Sequence, residues 1–443
     1  MKKSKVKWFV FGILVSFVVV AGFTTAAFPA QTVTIKMAQI FDPAAGAYAR
    51  QNYEWYQGVI KDFEKVYPNI KVKLEWFKWD EIDVKSMMHY RTGIPHDVLL
   101  SSPQYMPKHA LVGDFLDLSS FVKKEWTKEK QEDFNWSPVW KKCFPLGIPM
   151  GVHTRTVVYR KDMFAAAGIY KTPANVDELI EDAKKLTQDT NGDGIPDIWG
   201  LGMYLGASRA TIELYFAPYI WHFGGKLWDP VTKKATFASE EGVKAAKFLY
   251  DLVYKYKVTP KWAVSGTYDD VILHSFLNGK LAMADGFGSY WIGALENKGW
   301  VKGIFPATPQ GKTILADVFP IPTRPHAQFT NAWTLSIHKL SKHPAEAFKF
   351  LNFLAQPKYL YTYPDAGLPA CLTDWKRPVY STPFYKKWLF AAKHGRAMPP
   401  TAHYGELADA VAAAIGDIVV KKSPIESTLK KAQDEYNASY AGE

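Results

Sequence analysis

A chain of 443 residues is too long for one compact core, so two lobes or domains are expected. The composition, 48% hydrophobic, 15% aromatic and 22% charged, is that of a globular protein and excludes long disorder. The formal charge of +11 is spread as lysine pairs on amphipathic segments and never forms a run with interleaved aromatics. Solvated faces account for it, and no nucleic-acid partner is expected.

The first thirty residues read as a signal sequence. Lys2, Lys3, Lys5 and Lys7 form a positive region, 8–23 is apolar, and Thr25-Ala26-Ala27 offers a cleavage point, with cleavage after Ala30 as the alternative. An uncleaved anchor is the competing reading, because the apolar stretch approaches spanning length. The stretch holds no Cys that a lipid would need, so a soluble periplasmic protein is expected.

Residues 32–38 alternate as a strand, and a loop leads to a helix over 53–67 that stops before Pro68-Asn69. A strand over 70–76, a helix over 80–90 and a strand over 93–100 follow. Strands alternating with helices predict an α/β fold of mostly parallel sheets with helices on both faces, and ligands in such sheets sit at the strand ends. The turns carry no dinucleotide, phosphate-loop, zinc-protease or nucleophile-elbow motif. They carry Asp42, Trp79, Ser101, Gln104 and Tyr105, which are small polar and aromatic groups.

Residues 172–187 read as a helix with Thr172 as its cap. In the loop after it, Asp189, Asn191 and Asp193 take the 1, 3, 5 spacing of an EF-hand, with Gly194 at 6 and Asp197 at 9. Alternate hard oxygens suit Ca²⁺, but position 12 is Gly200 and lacks the bidentate Glu. Asx and Gly residues also build turns that need no ion, so an empty turn and a structural calcium site are both open. No other cofactor is expected.

A strand over 198–204 and an amphipathic helix over 239–256 come next. Further on, Trp333, Leu335 and Ile337 alternate with Thr334, Ser336 and His338 as a half-buried strand. Ser341 and Pro344 then start a helix with Ala347, Phe348, Leu351, Leu354 and Ala355 on one face, stopped by Pro357. Residues 398–438 read as helices. Cys143 and Cys371 are the only cysteines, and whether they pair is open.

Several of these blocks resemble the bacterial family 1 extracellular solute-binding proteins, the sugar-binding components of ABC importers. Segment 329–357 is similar to the stretch that re-enters the first lobe after the chain has built the second. Residues 148–168 are similar to the hinge crossing with its Y-x-K-D helix start, and 363–370 to the loop after the re-entry helix. Residues 275–286 resemble the F-x-x-G-K-x-A-M signature, in which a strand delivers an aromatic onto the sugar. The spacing from Gly286 to Trp291 departs from the family's, so Phe287, Tyr290 and Trp291 all stay open for that role.

The resemblance runs from about residue 32 to the C-terminus and implies a two-lobed type II periplasmic binding protein. After a signal at 1–30, lobe 1 would take 31–150 and 321–372, and lobe 2 would take 151–320 and 373–443. It further implies a monomer that captures a carbohydrate by hinge closure, without catalysis, and delivers it to an inner-membrane permease. A sugar offers an apolar C–H face to Trp and Tyr and a rim of hydroxyls to charged and amide side chains. The contacts expected on that basis are Asp42, Trp79, Gln104 and Tyr105 in lobe 1, and His153 and Arg155 at the hinge. Lobe 2 adds Glu213, Tyr215, Asp285, Tyr290 and Trp291, and the return crossing adds Trp333. Arg155, Arg160, Arg209 and Arg324 keep open a polyol, glycerol phosphate or peptide as ligand. An exported hydrolase would need two carboxylates held across a glycosidic bond, which spacing along the chain does not establish.

Overall fold

The computed structural model describes residues 31–79, 81–135, 139–301, 315–440 and 442. The signal-sequence expectation falls on 1–30 and lies outside them. The early chain supplies strands β1 (Val33–Gln39), β2 (Ile70–Trp76), β3 (Val98–Ser101) and β4 (Ile148–Pro149). β5 (His153–Arg160), β6 (Trp199–Gly202), the small hairpin β7 (Trp228–Asp229) and β8 (Lys234–Ala235), β9 (Leu281–Gly288) and β10 (Ala316–Phe319) follow. β11 (Thr330–Asn331) and β12 (Thr334–Ile337) then return. One sheet runs β2-β1-β3-β12-β4, and a second runs β10-β5-β9-β6 with β11 also paired to β5. β1 is parallel to β2 and β3, whereas β12 lies antiparallel to β3 and β4.

The period-2 pattern of 333–338 does give a strand, Thr334–Ile337, but it is not half-buried. Thr334, Ser336 and His338 are as buried as Leu335 and Ile337, because β12 lies inside the sheet. The helix Pro344–Leu354 puts Phe348 and Leu351 into the cluster that holds Leu335 and Ile337. On the other face, Ser86 of the helix Ile82–Arg91 meets His338 Nε2 at 2.6 Å. Thr334 Oγ1 meets Cys143 Sγ at 3.0 Å, whereas the Ser336 hydroxyl is buried without a partner.

Other bounds shift for local reasons. The first helix spans Ala47–Val66, beginning ahead of the apolar period read from 53. β3 begins only at Val98. The helix Val176–Leu186 is capped by Asn175, whose side chain accepts from the Glu178 amide at 2.9 Å; Thr172 is not its cap. Cys143 and Cys371 are both buried free thiols.

Chain segments cross between the two sheets around Gly151-Val152, and Ala332-Trp333 joins β11 to β12. Val152 exchanges backbone hydrogen bonds with Leu368 at 2.8 and 3.0 Å, which ties the loop after the return helices to the first crossing. A Cβ on Gly151 would stand 2.2 Å from the Ala366 carbonyl oxygen, so the approach of the two segments requires glycine. The helices Pro383–His394, Tyr404–Val420 and Ile425–Tyr440 pack on the second sheet's core, where Trp388, Leu407 and Ile415 join Val157, Leu201 and Met283. Among the described residues no helix is long and apolar enough to cross a membrane.

Candidate functional site

The crossing segments floor a cavity of about 360 Å³ between the two sheets. Ile40, Phe41, Tyr48 and Trp79 line it from the first sheet's side, and Ser208, Ala210, Glu213, Leu214, Tyr268, Asp269 and Tyr290 from the second's. His153, Arg155, Asn331, Trp333 and Asp365 come from the crossings.

Asp365 organises the floor. Its two carboxylate oxygens accept from the Tyr48 hydroxyl and the Trp333 indole N–H, one each. Its main-chain oxygen accepts from His153 Nε2 at 2.5 Å. Burial pushes the Asp365 carboxyl up to about 7 although both donors act to lower it. Burial, reinforced by the Arg155 charge, pushes His153 down to about 3, so its imidazole is neutral. The carbonyl it faces fixes the proton on Nε2 and leaves Nδ1 as an acceptor. The Arg155 guanidinium lies over the Tyr290 ring at 4.9 Å, and its Nε has no hydrogen-bond partner.

Two other carboxylates stand on π-helical turns, whose wide register re-aims side chains. Glu213, on the turn Ile212–Phe216, accepts from the Tyr404 hydroxyl at 2.6 Å and from Gln104 Nε2 at 3.2 Å. Burial raises its pKa. Asp269 opens the turn Asp269–His274, and although open to solvent on one side it too is raised by desolvation.

Six of the expected contacts line the cavity: Trp79, His153, Arg155, Glu213, Tyr290 and Trp333. The other six do not. Asp42 turns its carboxylate back onto the Ala44 amide at 2.9 Å. Gln104 reaches Glu213 from outside the cavity, and the Tyr105 hydroxyl accepts from Arg209 Nη1 at 2.9 Å. Tyr215 is core and donates to the Asp285 carbonyl at 3.1 Å. The Asp285 carboxylate accepts from the Tyr219 hydroxyl at 2.9 Å and the Gly286 amide at 2.6 Å, beneath the site. Trp291 stacks behind Tyr268 at 4.7 Å, and Phe287 is fully buried, so the aromatic delivered after β9 is Tyr290.

Phe41, Tyr48, Tyr268, Asp269, Asn331 and Asp365 were missed by sequence reasoning. Asp365 carried a usable signal, as a lone carboxylate within the Tyr363-Pro364 to Gly367 loop. Tyr268-Asp269 carried none, since Ser265-Gly266-Thr267 before it reads as an ordinary turn.

In the 189–197 loop, Asp189 accepts from the Gly192 and Gly194 amides, Asn191 from Asp193, and Asp193 from Ile195. Asp197 accepts from Thr190 and Asn191. Among the described residues no group of three or more His, Cys, Asp or Glu is placed to hold an ion.

Burial pushes the Asp285 carboxyl up to about 7, well above its unfolded value. The folded chain therefore keeps a proton that the unfolded chain has released. The associated stability is complete below about pH 4 and is lost as pH rises to 7. The stability difference between wild type and Asp285→Asn, from urea unfolding at stepped pH, is expected to fall over that window and level off above it. A difference that ignores pH would refute the assignment.

Two lobes joined by crossing segments over an aromatic, carboxylate-rimmed cavity define a two-lobed ligand-binding protein. The profile of the bacterial extracellular solute-binding proteins matches residues 46–360, and the chain belongs to that family. A Brucella abortus (strain 2308) protein described as a binding protein is 24% identical over 389 residues, 87% of this chain and 89% of its own length. T. maritima MalE3, solved with maltose bound, is similar with a TM-score of 0.76 and 22% identity over 92% of this chain and 100% of its own. An ABC transporter solute-binding protein from Thermotoga lettingae TMO, bound with alpha-D-tagatose, is similar with a TM-score of 0.75 and 24% identity over 92% and 99%. The fold is that of the type II periplasmic binding proteins.

Proposed function

We propose that this chain is the receptor of an ABC importer, capturing a mono- or short oligosaccharide by closure of its lobes and delivering it to a membrane permease. The observation that carries the reading is the lining of the cleft. Six aromatic rings (Phe41, Tyr48, Trp79, Tyr268, Tyr290 and Trp333) share one cavity with three carboxylates, Glu213, Asp269 and Asp365. Flat apolar faces beside charged acceptors match the two surfaces of a sugar. A cavity of about 360 Å³ is near the lower end of small-molecule sites, which favours a short ligand.

The protein binds its ligand without turning it over. Asp365 is held by a fixed donor on each oxygen and Glu213 by Tyr404 and Gln104, an arrangement that supports positioning and closure over turnover. One chain completes the cavity, and it works as a monomer in the periplasm, without nucleic acid. No cofactor is required, and the 189–197 loop supports itself through its own amides. The Arg155 guanidinium in the cavity lining supports a polyol or glycerol phosphate as the second reading.

A thermal-shift screen of the mature protein against carbohydrates, polyols, glycerol phosphates and short peptides tests this. At a hundredfold excess over Kd, one ligand class is expected to raise Tm by about 3 °C. A sugar that shifts Tm and is recovered intact supports the reading. Hydrolysis of that sugar, or a shift only with peptides, overturns it.

A further inference from the structure

Tyr105, expected from the sequence to touch a ligand, does not line the cleft. It follows β3 of the first sheet, yet its ring packs in the core cluster of the second. Three contacts define it. The ring stands edge-on to Trp79, a wall of the cleft, with centroids 6.4 Å apart at 66°. It stands edge-on to Tyr404 at 5.7 Å and 72°. The Tyr105 hydroxyl accepts from Arg209 Nη1 at 2.9 Å.

The Arg209 guanidinium is itself aimed. Its Nε and Nη2 bond the two oxygens of Asp409 at 2.7 and 2.8 Å, a two-pronged pair that leaves Nη1 for Tyr105. Asp409 stands on the helix Tyr404–Val420, so both groups that hold Tyr105 belong to the side of the second sheet. Trp79 is less well anchored. It lies between β2 and the helix Ile82–Arg91, outside both, and the one ring it contacts among the described residues is Tyr105. A side chain on such a segment keeps one rotamer only where a neighbour selects it.

We propose that Tyr105 is a positioning residue for the cleft. Closure brings Arg209 and Tyr404 onto Tyr105, they fix its ring, and the ring fixes Trp79 against the ligand. A ligand that packs on Trp79 holds Tyr105 in the pose Arg209 needs, so ligand fit and lobe approach reinforce each other by linkage. A ligand too small to reach Trp79 leaves this coupling unused, and Tyr105 thereby contributes to discrimination between ligands.

The role rests on the reading that Trp79 meets the cleft ligand, and two measurements on the mature protein keep the two apart. The first is fluorine NMR with a fluorinated tryptophan incorporated, the Trp79 resonance being identified by its loss in Trp79→Phe. Arg209→Ala is expected to shift or broaden that resonance, while Trp126, which meets Phe134 and Asn352, keeps its own. Tyr105→Phe keeps the ring and loses only the bond to Arg209; it should move the same resonance, and it decides the matter should Arg209→Ala not fold. An unmoved Trp79 resonance in Tyr105→Phe overturns the proposal.

The second is calorimetric titration with glucose, cellobiose, sorbitol and glycerol phosphate. For a probe that binds, Tyr105→Phe is expected to lose about three- to tenfold in affinity, and about twofold or less when Trp79 is already Ala. Equal losses in the two backgrounds would make Tyr105 a plain contact between the lobes and overturn its positioning role. Failure of the carbohydrate reading looks different: neither sugar binds, while the Trp79 resonance still moves.

Discussion

Asp365→Ala is expected to weaken binding of the cleft ligand by roughly ten- to a hundredfold. Asp365 joins three parts of the floor through Tyr48 from the first helix, Trp333 at the return crossing and His153 at the start of β5. The first two bonds end on its carboxylate, and the two donors differ in what they lose. Tyr48 is 37% exposed and can turn its hydroxyl to water, whereas the Trp333 indole, 7% exposed, cannot. An orphaned buried donor costs about 1–3 kcal/mol, and that cost falls on a ring that forms the cavity wall. Since about 1.4 kcal/mol is tenfold in affinity, the loss should reach one to two decades. The His153 bond ends on the main chain and survives the substitution. Calorimetric titration with the ligand found by the thermal screen reads the effect. Affinity within threefold of wild type would show that Asp365 does not hold the floor.

What made the fold legible before any coordinates was periodicity and punctuation. Alternation at 32–38 and 70–76 and the Pro344 helix start each depend on residues a few positions apart, and those elements appear where the pattern puts them. The burial of Thr334, Ser336 and His338 did not follow, because a polar face becomes core only when another segment supplies partners. Here Ser86 does so for His338 from 252 residues away, and Cys143 for Thr334 from 191. The same distinction divides the site. Trp79, His153 and Trp333 stand at strand ends and crossings, where the chain's course brings them to the cavity. Tyr215 and Asp285 have the right chemistry but face inward, toward each other and Tyr219, through rotations set by a π-helical turn and by β9. Side-chain direction at such positions is a tertiary property, and neither residue type nor spacing encodes it.

Glu213→Ala should cost more than the loss of one ligand contact, since this residue is also where the lobes meet. Its Oε1 accepts from Gln104 of the first lobe and from Tyr404 of the second, and the side chain is 5% exposed. The neighbouring inter-lobe pair Lys108–Glu406 is about one-third exposed on both sides and is worth at most ~1 kcal/mol. Tyr404 is fully buried and belongs to the same lobe, so its unpaired hydroxyl costs about 1–3 kcal/mol of folding stability, whereas the Gln104 amide loses its acceptor only when the lobes close and so carries the cost in affinity. The expected result is an affinity loss of roughly ten- to a hundredfold, carried mostly by faster dissociation, with a separate loss of folding stability from Tyr404. Glu213→Gln keeps an oxygen for Tyr404 and should lose less than tenfold. Gln104→Ala separates the two roles, because it removes the inter-lobe bond without touching the cleft wall. If Glu213 acts only as a ligand contact, Gln104→Ala will leave the dissociation rate unchanged in stopped-flow measurements. If it also holds the lobes together, that rate will rise. The double variant will then lose less than the sum of the two single losses, because each single substitution already breaks the shared bond.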